Sequence, residues 1–426
     1  MSPAASVSSV TCLGCGCGCD DLTIGVTDGR IVSVEPPCPL ARAWFGDGRV
    51  PGAITRAGRP APLDAAVADA AEALVAARGR VLVVLAPEIS TQAQRTALAV
   101  ADLLRATVDT ATSDPTAAGL LAAQRRGRAA STLGEIRNRA DVLLFWGVDP
   151  TPDYPRYLSR YALEPVGTHV PQGRAGRTVI SVSVGADRGP PDAEVAITLK
   201  PEDEIAALSV MRAAALGRTL GDLPAPLAPV AAAADRLVKA RYAVVVHDAE
   251  PGNEPSRDPY RAEGLIALTQ ALNGPTRAAL STLRAGGNRS GAEAVLTWQA
   301  GFPMAVTYRD GAPRYAPASR GLAWAVAGGA GAMLVAGAAA SLGDLLAEVA
   351  SRTPVVVVGP LASEAPFPTR VAIDTGMAGI HEGGTAYRMD DVPLPLRPPL
   401  QGPRSAAETL DLLLTAVRAR HTEAKP

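Results

Sequence analysis

The run "AAVADAAEALVAARGRVLVVLAPEISTQAQRTALAVADLLRA", residues 65–106, decides the fold. Its middle, "RVLVVLAP" (80–87), is an unbroken apolar stretch of strand length, rich in Val and Leu and closed by a proline. A strand that is apolar on both faces must be covered on both. The flanking segments supply the cover, since 65–78 and 91–106 carry Ala, Leu and Val at helical spacing. Helix, buried strand, helix is the repeating unit of a parallel sheet. The pattern recurs outward in "DVLLFWGVDP" (141–150), "RTVISVSV" (177–184), "EVAITL" (194–199), "YAVVVHD" (242–248), "AMLVAG" (332–337) and "PVVVVGP" (354–360). The expected class is therefore α/β with Rossmann-like parallel sheets, and so many strands require at least two such units. Ligands of open sheets bind beyond the carboxyl ends of the strands. The loops "WGVDPTPDYPR", "HDAEPGNE" and "GPLASEAPFP" fall there.

The chain has 426 residues, 47% of them hydrophobic, enough for a large core. A formal net charge of −1 weighs against nucleic acid or an anionic membrane as partner. No basic segment followed by an apolar one marks a secretory signal. The stretch "GLAWAVAGGAGAMLVAGAAA" (321–340) is the one membrane-like segment, and its Ala/Gly composition reads as a core element instead. Three regions are expected: a cysteine-rich lobe with a hairpin over 1–58, an α/β core over 59–360, and a loop-rich segment with a final helix over 361–426. That helix, 405–420, has Ser405 as its cap. The Pro-rich "VPLPLRPPLQGP" (392–403) reads as extended surface coil or an interface with a partner chain.

All five cysteines lie in the first 38 residues, four of them in "TCLGCGCGCDD" (11–21). Such clustering, without scattered pairing partners, points to a reducing cytoplasm and a metal rather than disulfides. Cys12, Cys15 and Cys19 are spaced C-x2-C-x3-C, with Gly14, Gly16 and Gly18 freeing the loop between them. "DLTIGVTDGRIVSVE" (21–35) alternates around Asp28-Gly29, a type I′ hairpin signal, and would return Cys38 to the loop. Three thiolates from one loop and one from afar suit a [4Fe–4S] cluster. Zinc more often takes two separated C-x2-C pairs. A loop that has lost its metal is the third reading, and Cys17 would be a spare.

These residues carry a resemblance. "CLGCGCGCDDLTI", the hairpin and Cys38 resemble the start of the B-subunit family of formylmethanofuran dehydrogenase, molybdopterin-oxidoreductase-like proteins with one [4Fe–4S] cluster and a tungsten or molybdenum bis-pterin. "STLGEIRNRADVLLFWGVDPTPDYPRYLSRYA" (131–162), "NRSGAEAVLTWQAGFPMAVTYRDGAPRYAP" (288–317) and "AGIHEGGTAYRMDDVPLPLRPP" (378–399) are similar to further blocks of it. One block departs. The family's Cys-His-Gly-Pro element supplies the active-site metal ligand, and the matching stretch here is "VDTATSDPTAAG" (108–119). Ser113, Asp114 and Pro115 stand where that cysteine belongs. One reading makes Asp114 a substitute ligand, of harder chemistry than thiolate. With the histidine gone as well, loss of the metal–pterin site is the simpler account.

The departure resembles the family's branch in bacterial formyltransferase/hydrolase complexes of one-carbon metabolism, linked to tetrahydromethanopterin and a methanofuran-like carrier. The resemblance implies a redox-inactive, structural role beside an amidohydrolase-type A, a transferase-type D and a C subunit. The alternative it leaves is a catalytic dehydrogenase chain that oxidises or reduces at a pterin-held metal and passes electrons through the cluster. A stand-alone iron–sulfur binding or sensing protein is a third class.

Other residues read more weakly. His381, Glu382, Arg388 and Asp390 form a polar group in "GIHEGGTAYRMDD", either a former site for pterin phosphates or a hydrogen-bonded closing loop. Arg289, beside Asn288 and Gly291, projects into an old cavity or makes a surface ion pair. His247 and Asp248 end a strand at a ligand-binding edge. Neither they nor His169 or His421 join a nucleophile elbow, and no phosphate-binding glycine motif follows a strand.

Overall fold

The computed structural model describes residues 5–111, 113–248, 260–317, 321–342 and 344–423. The chain begins with an antiparallel sheet of β1 (Ala5–Val10), β2 (Leu22–Thr27) and β3 (Arg30–Glu35). Asp28 and Gly29 join β2 to β3 with φ of 49° and 71°, the two left-handed residues that a type I′ turn requires. A short α1 (Pro39–Phe45) follows, and then β4 (Ile54–Arg56) and β5 (Arg59–Pro60). The deciding run folds as expected into α2 (Leu63–Ala76), β6 (Val81–Leu85) and α3 (Thr91–Leu103), followed by β7 (Thr107–Thr110). Every residue of β6 is buried. Each leucine in it contributes about 2 kcal/mol by leaving water.

The chain then builds a second compact unit over 115–285, whose boundary falls in the first turn of α4 (Ser113–Arg126). Its elements are α5 (Leu133–Arg139), β8 (Val142–Trp146), β9 (Thr178–Val184), β10 (Val195–Leu199), α6 (Glu204–Ala215), α7 (Ala228–Val238), β11 (Ala243–Asp248), α8 (Tyr260–Leu272) and β12 (Ala278–Leu283). The strands pair in parallel in the order β10-β9-β8-β11-β12. Two strands to one side of the first and two to the other make a doubly wound sheet.

From Gly286 the chain rejoins the first unit. It adds α9 (Arg289–Ala300), β13 (Val306–Thr307), β14 (Arg314–Tyr315), α10 (Gly321–Val326), β15 (Ala332–Ala336), α11 (Asp344–Ala350), β16 (Val355–Gly359) and β17 (Val371–Asp374). β18 (Gly384–Tyr387), β19 (Pro393–Leu396) and α12 (Ala406–Glu423) complete it. The large sheet runs β14-β13-β7-β6-β15-β16-β17-β4-β5, with its centre from β7 to β17 parallel. α3, α9 and α12 contribute to one apolar layer with β6 and β15.

The sequence-order regions 1–58, 59–360 and 361–426 do not coincide with these units. The core over 59–360 is divided, because β15 pairs with β6 only after the whole second unit has intervened. The cysteine lobe and the C-terminal segment both belong to the first unit. Residues 321–340 are a helix, a turn and a strand. Among the described residues no helix is long and apolar enough to cross a membrane. The Pro-rich segment is not surface coil: β19 pairs with β18, and Leu394 and Leu396 are buried.

Candidate functional site

The cysteine loop closes on itself. The Cys12 N–H donates to the Cys19 carbonyl at 2.8 Å, and the Gly14 N–H donates to Cys12 Sγ at 3.3 Å. Gly18 takes φ of 49°, and a Cβ there would lie 3.0 Å from both Arg388 Cγ and Leu394 Cδ1. Three segments clamp the loop from outside. The Gly287 N–H donates to the Leu13 carbonyl, Met389 N–H to that of Gly16, and the Thr11 hydroxyl to that of Pro395. Cys38 precedes the first turn of α1, and its carbonyl accepts from Arg42 N–H.

Burial pushes the Cys12 thiol well above its usual range, the Gly14 N–H opposes this, and nearby Cys15, Cys19 and Cys38 push it further. Four thiols of the expected set therefore share one neighbourhood. Cys17 belongs to it too: its thiol is raised by a hydrogen bond with Cys15 first, then by burial and by Cys15, Cys19 and Cys12. The fifth cysteine is thus packed among the others, not set apart from them. Cys12, Cys17, Cys19 and Cys38 are buried and Cys15 is partly exposed. Among the described residues no group of three or more His, Cys, Asp or Glu is arranged to hold a metal ion. A four-iron cube holds its thiolates wider apart than a single ion does. Trp44, whose Cβ adjoins Gly14, has a buried indole N–H with no acceptor among the described residues. Buried thiols of this kind become thiolates only when a bound metal displaces their protons.

The end of β7 is different. Asp109 is fully buried, and its Oδ1 accepts from the Thr110 N–H at 3.0 Å and the Ala305 N–H at 3.2 Å. Thr110 follows with a buried hydroxyl that has no partner among the described residues. Ser113 and Asp114 lie in the first turn of α4, and their side chains, like those of 112 and 115, are outside the described set. No cysteine or histidine occurs between 107 and 119. These residues do not fit thiolate ligation of a metal.

The HEGG loop proves to be a closing device. His381 Nδ1 accepts from Met377 N–H at 3.2 Å, so Nε2 carries the proton and donates to the Gly48 carbonyl at 2.7 Å. Burial lowers its pKa, as a neutral imidazole in this double contact demands. Glu382 accepts from the Ser90 hydroxyl at 3.0 Å and from Ala406 N–H at 2.6 Å, at the start of α12. Arg388 and Asp390 form a two-bond pair at 2.7 and 2.8 Å, largely buried.

Asn288, which reads in sequence as a loop residue, is the hub of this edge. It is wholly buried, and its Nδ2 lies 3.1 Å from the Ile89 carbonyl, Thr91 Oγ1 and Gln94 Oε1. Its Oδ1 accepts from the Tyr387 N–H at 2.8 Å. Arg289 turns back on its own loop, where its Nε donates to the Gly286 carbonyl at 2.7 Å. In the second unit His247 is buried, with Nε2 3.1 Å from Thr282 Oγ1, and the loop after Asp248 lies outside the described residues. His169 borders a hollow of about 320 Å³ with Glu135 and Asn138, far along the chain from the cysteine loop. His421 lies in the last turn of α12.

No model of a known family matches the chain. Individual proteins do. It is 28% identical over 428 residues to the B subunit of the tungsten-containing formylmethanofuran dehydrogenase 2 of Methanococcus maripaludis, covering 96% of this chain and 98% of that one. The counterpart of the same name from Methanocaldococcus jannaschii is 28% identical over 430 residues, covering 97% and 98%. The B subunit of the formyltransferase/hydrolase complex Fhc of Methylorubrum extorquens is 32% identical over 221 residues, 52% of this chain and 56% of that one. A chain in the crystal structure of the Methylorubrum extorquens FhcABCD complex with methylofuran superposes with a TM-score of 0.68 at 26% identity, covering 87% of this chain and all of that one. The protein is a homologue of the B subunits of formylmethanofuran dehydrogenase and of Fhc, the family that its cysteine loop resembles.

Proposed function

We propose that the chain is the B subunit of a cytoplasmic formyltransferase/hydrolase complex of one-carbon metabolism, redox-inactive and structural in role. The observation that carries this is the end of β7, where residues 107–119 offer neither the sulfur nor the imidazole that a pterin-held metal takes in the dehydrogenase. The likeness to the FhcABCD chain, complete over that chain's length, supports the same assignment. The partners are then an amidohydrolase-type A, a C and a transferase-type D subunit, acting on a formyl group carried by a methanofuran-like molecule. Cys12, Cys15, Cys19 and Cys38 are the donors for a [4Fe–4S] group, which when bound supplies one-electron transfer. The W/Mo bis-pterin has no ligand in this reading. Asp114, the substitute ligand, is a carboxylate without the neighbouring imidazole of the family's element.

The test is purification of the tagged chain from its native cells. The account expects transferase and amidohydrolase partners to copurify in fixed ratio, with formyl transfer in the isolated assembly. Recovery of the chain alone, with the transfer activity in other fractions, contradicts it.

A further inference from the structure

The large sheet carries its positive charge along one edge. Arg80 stands immediately before β6, Arg105 shortly before β7, Arg352 shortly before β16 and Arg370 immediately before β17. The antiparallel flanks bring arginines to the same edge. Arg56 of β4 pairs with Val371, the first residue of β17, and Arg59 of β5 pairs with Arg56. On the other flank Arg314 of β14 pairs with Thr307 of β13, itself paired with Thr107 at the start of β7, and Arg309 follows β13. All of these arginines are exposed. The exception in the row is β15, which begins after Gly331.

At the carboxyl ends the parallel strands lead instead into Ala86, Ala111, Gly337, Pro360 and Thr375. Glu88, on the loop after β6, accepts inward from the Ala338 N–H at 3.1 Å. Ligands of open sheets enter at those carboxyl ends, so the arginine row is no part of that crevice.

Its charge is only partly compensated. Arg78 donates to the Leu103 carbonyl, Arg80 to those of Gly328 and Gly329 at 3.2 and 3.4 Å, and Arg309 to that of Gly79. A carbonyl orients a guanidinium but leaves its charge, and none of the three has an ion pair among the described residues. Acids are interleaved with the others. Asp69 takes Arg56 and Arg370 at 3.3 and 2.6 Å, Asp310 lies 3.5 Å from Arg314, and Glu348 lies 3.6 Å from Arg352. Neighbouring strands are about 4.8 Å apart, so the row runs roughly 40 Å, enough for one side of an interface burying about 800 Å² per partner.

Where the row lacks its arginine there is a hollow. It encloses about 370 Å³ at the amino ends of β6, β15, β16 and β17, and Arg78, Arg80 and Arg370 line it. Small residues leave the room: Ala73, Ala76 and Ala77 at the end of α2, and Gly331. Glu72 also borders the hollow, with Arg420 3.9 Å from it. Three guanidinium groups around such a space suit an inserted carboxylate, which arginine takes with two parallel bonds.

We propose that the amino edge of the large sheet docks an acidic face of a partner protein, one of whose carboxylates enters the hollow between Arg80 and Arg370. The interleaved acids select this kind of partner. A polyphosphate chain brings negative charge against Asp69, Asp310 and Glu348, whereas a protein face sets lysine or arginine opposite them. The proposal gives the complex reading a binding face and rests on that reading for the partner's presence in cells.

Two measurements test it, and they fail separately. In the first, the tagged chain is purified from native cells at low salt and the copurified protein is quantified. Arg80→Glu with Arg370→Glu, and Ala76→Phe, which fills the hollow without changing a charge, each cut the copurified amount by at least on the order of tenfold. Arg212→Glu with Arg218→Glu, an equal charge change at the end of α6, leaves it at the wild-type level; an equal loss there overturns the proposal. In the second, the isolated chain is titrated at low salt with a fluorescein-labelled peptide of alternating Glu and Ala. Wild type binds it, and the same two variants weaken binding on the order of tenfold. A wild-type chain that ignores the peptide, or binds a labelled DNA strand of equal charge more tightly, overturns the proposal. If the peptide result holds while native cells yield no partner, the docking face stands and the complex reading falls. If partners copurify equally with every folded variant, the complex reading stands and the docking face falls. Cooperative melting identifies the folded variants, and Arg80→Gln with Arg370→Gln supplies one that removes charge without reversing it.

Discussion

The cysteine loop at residues 12–19 and the end of β7 belong to one compact unit, but their side chains differ in what they can bind. The loop, with Cys38, gathers five thiols, and at least four backbone contacts fix its shape. The strand end presents a threonine hydroxyl and a carboxylate already bonded to backbone. The difference gives the loop a reason to keep its sulfur whether or not iron is bound. Buried neutral cysteine packs as a small apolar side chain, so the loop keeps a structural reason for its composition. A metal ligand at an open strand end packs against nothing once the metal is gone, and any small residue serves there.

Substitutions can break this comparison. The largest effect is expected at the four-thiol set. After anaerobic iron–sulfur reconstitution, wild type should hold about four irons per chain, and Cys38→Ala should lose nearly all of them, as read by iron analysis and visible absorption. Iron unchanged in Cys38→Ala would show that the hairpin does not deliver a ligand. Next comes the buried hub at Asn288. Asn288→Ala leaves the buried Tyr387 N–H and Ile89 carbonyl without their partner, at a cost of about 3 kcal/mol in chemical denaturation. A loss below about 0.5 kcal/mol would mean that the edge is held elsewhere.

A smaller effect depends on pH. His381 is held neutral in the fold, with its pKa below the 6.5 of the free side chain. Between these values the unfolded chain binds more protons than the folded one, so stability falls as pH drops through this window. Melting temperature should decline from pH 7 to 5.5, and His381→Asn should flatten that decline. Glu88 and Glu382 act in the opposite sense, since their raised pKa values make stability fall as pH rises from 4.5. The smallest effect is expected from Cys17→Ser. If Cys17 is packing and not a ligand, reconstituted iron stays at the wild-type level; its loss would put Cys17 in place of one of the other four.

Much of this was legible in the residues themselves. β6 and β8 are continuous apolar runs, and no other element buries both faces of so short a stretch. Asp28-Gly29 fixed the hairpin because few residues other than these accept positive φ. The division into units was not legible. β6 finds β7 soon after it but β15 only some 250 residues later, and apolar periodicity says nothing of pairing partners. Pro393 and Pro395 disguised β19, although a two-stranded edge tolerates proline because half its N–H groups need no partner. Asn288 and Glu88 were hidden for a related reason. A polar residue in a loop reads as solvated, and only the segments that converge on Asn288 reveal it as buried.

The account stands or falls on the pterin-held metal. Tungsten and molybdenum should be measured by mass spectrometry in the complex isolated anaerobically from its native cells, in medium supplied with both metals. The account predicts neither metal above background, whatever the iron content. Either metal at a near-stoichiometric level, with a pterin released on denaturation, would contradict it.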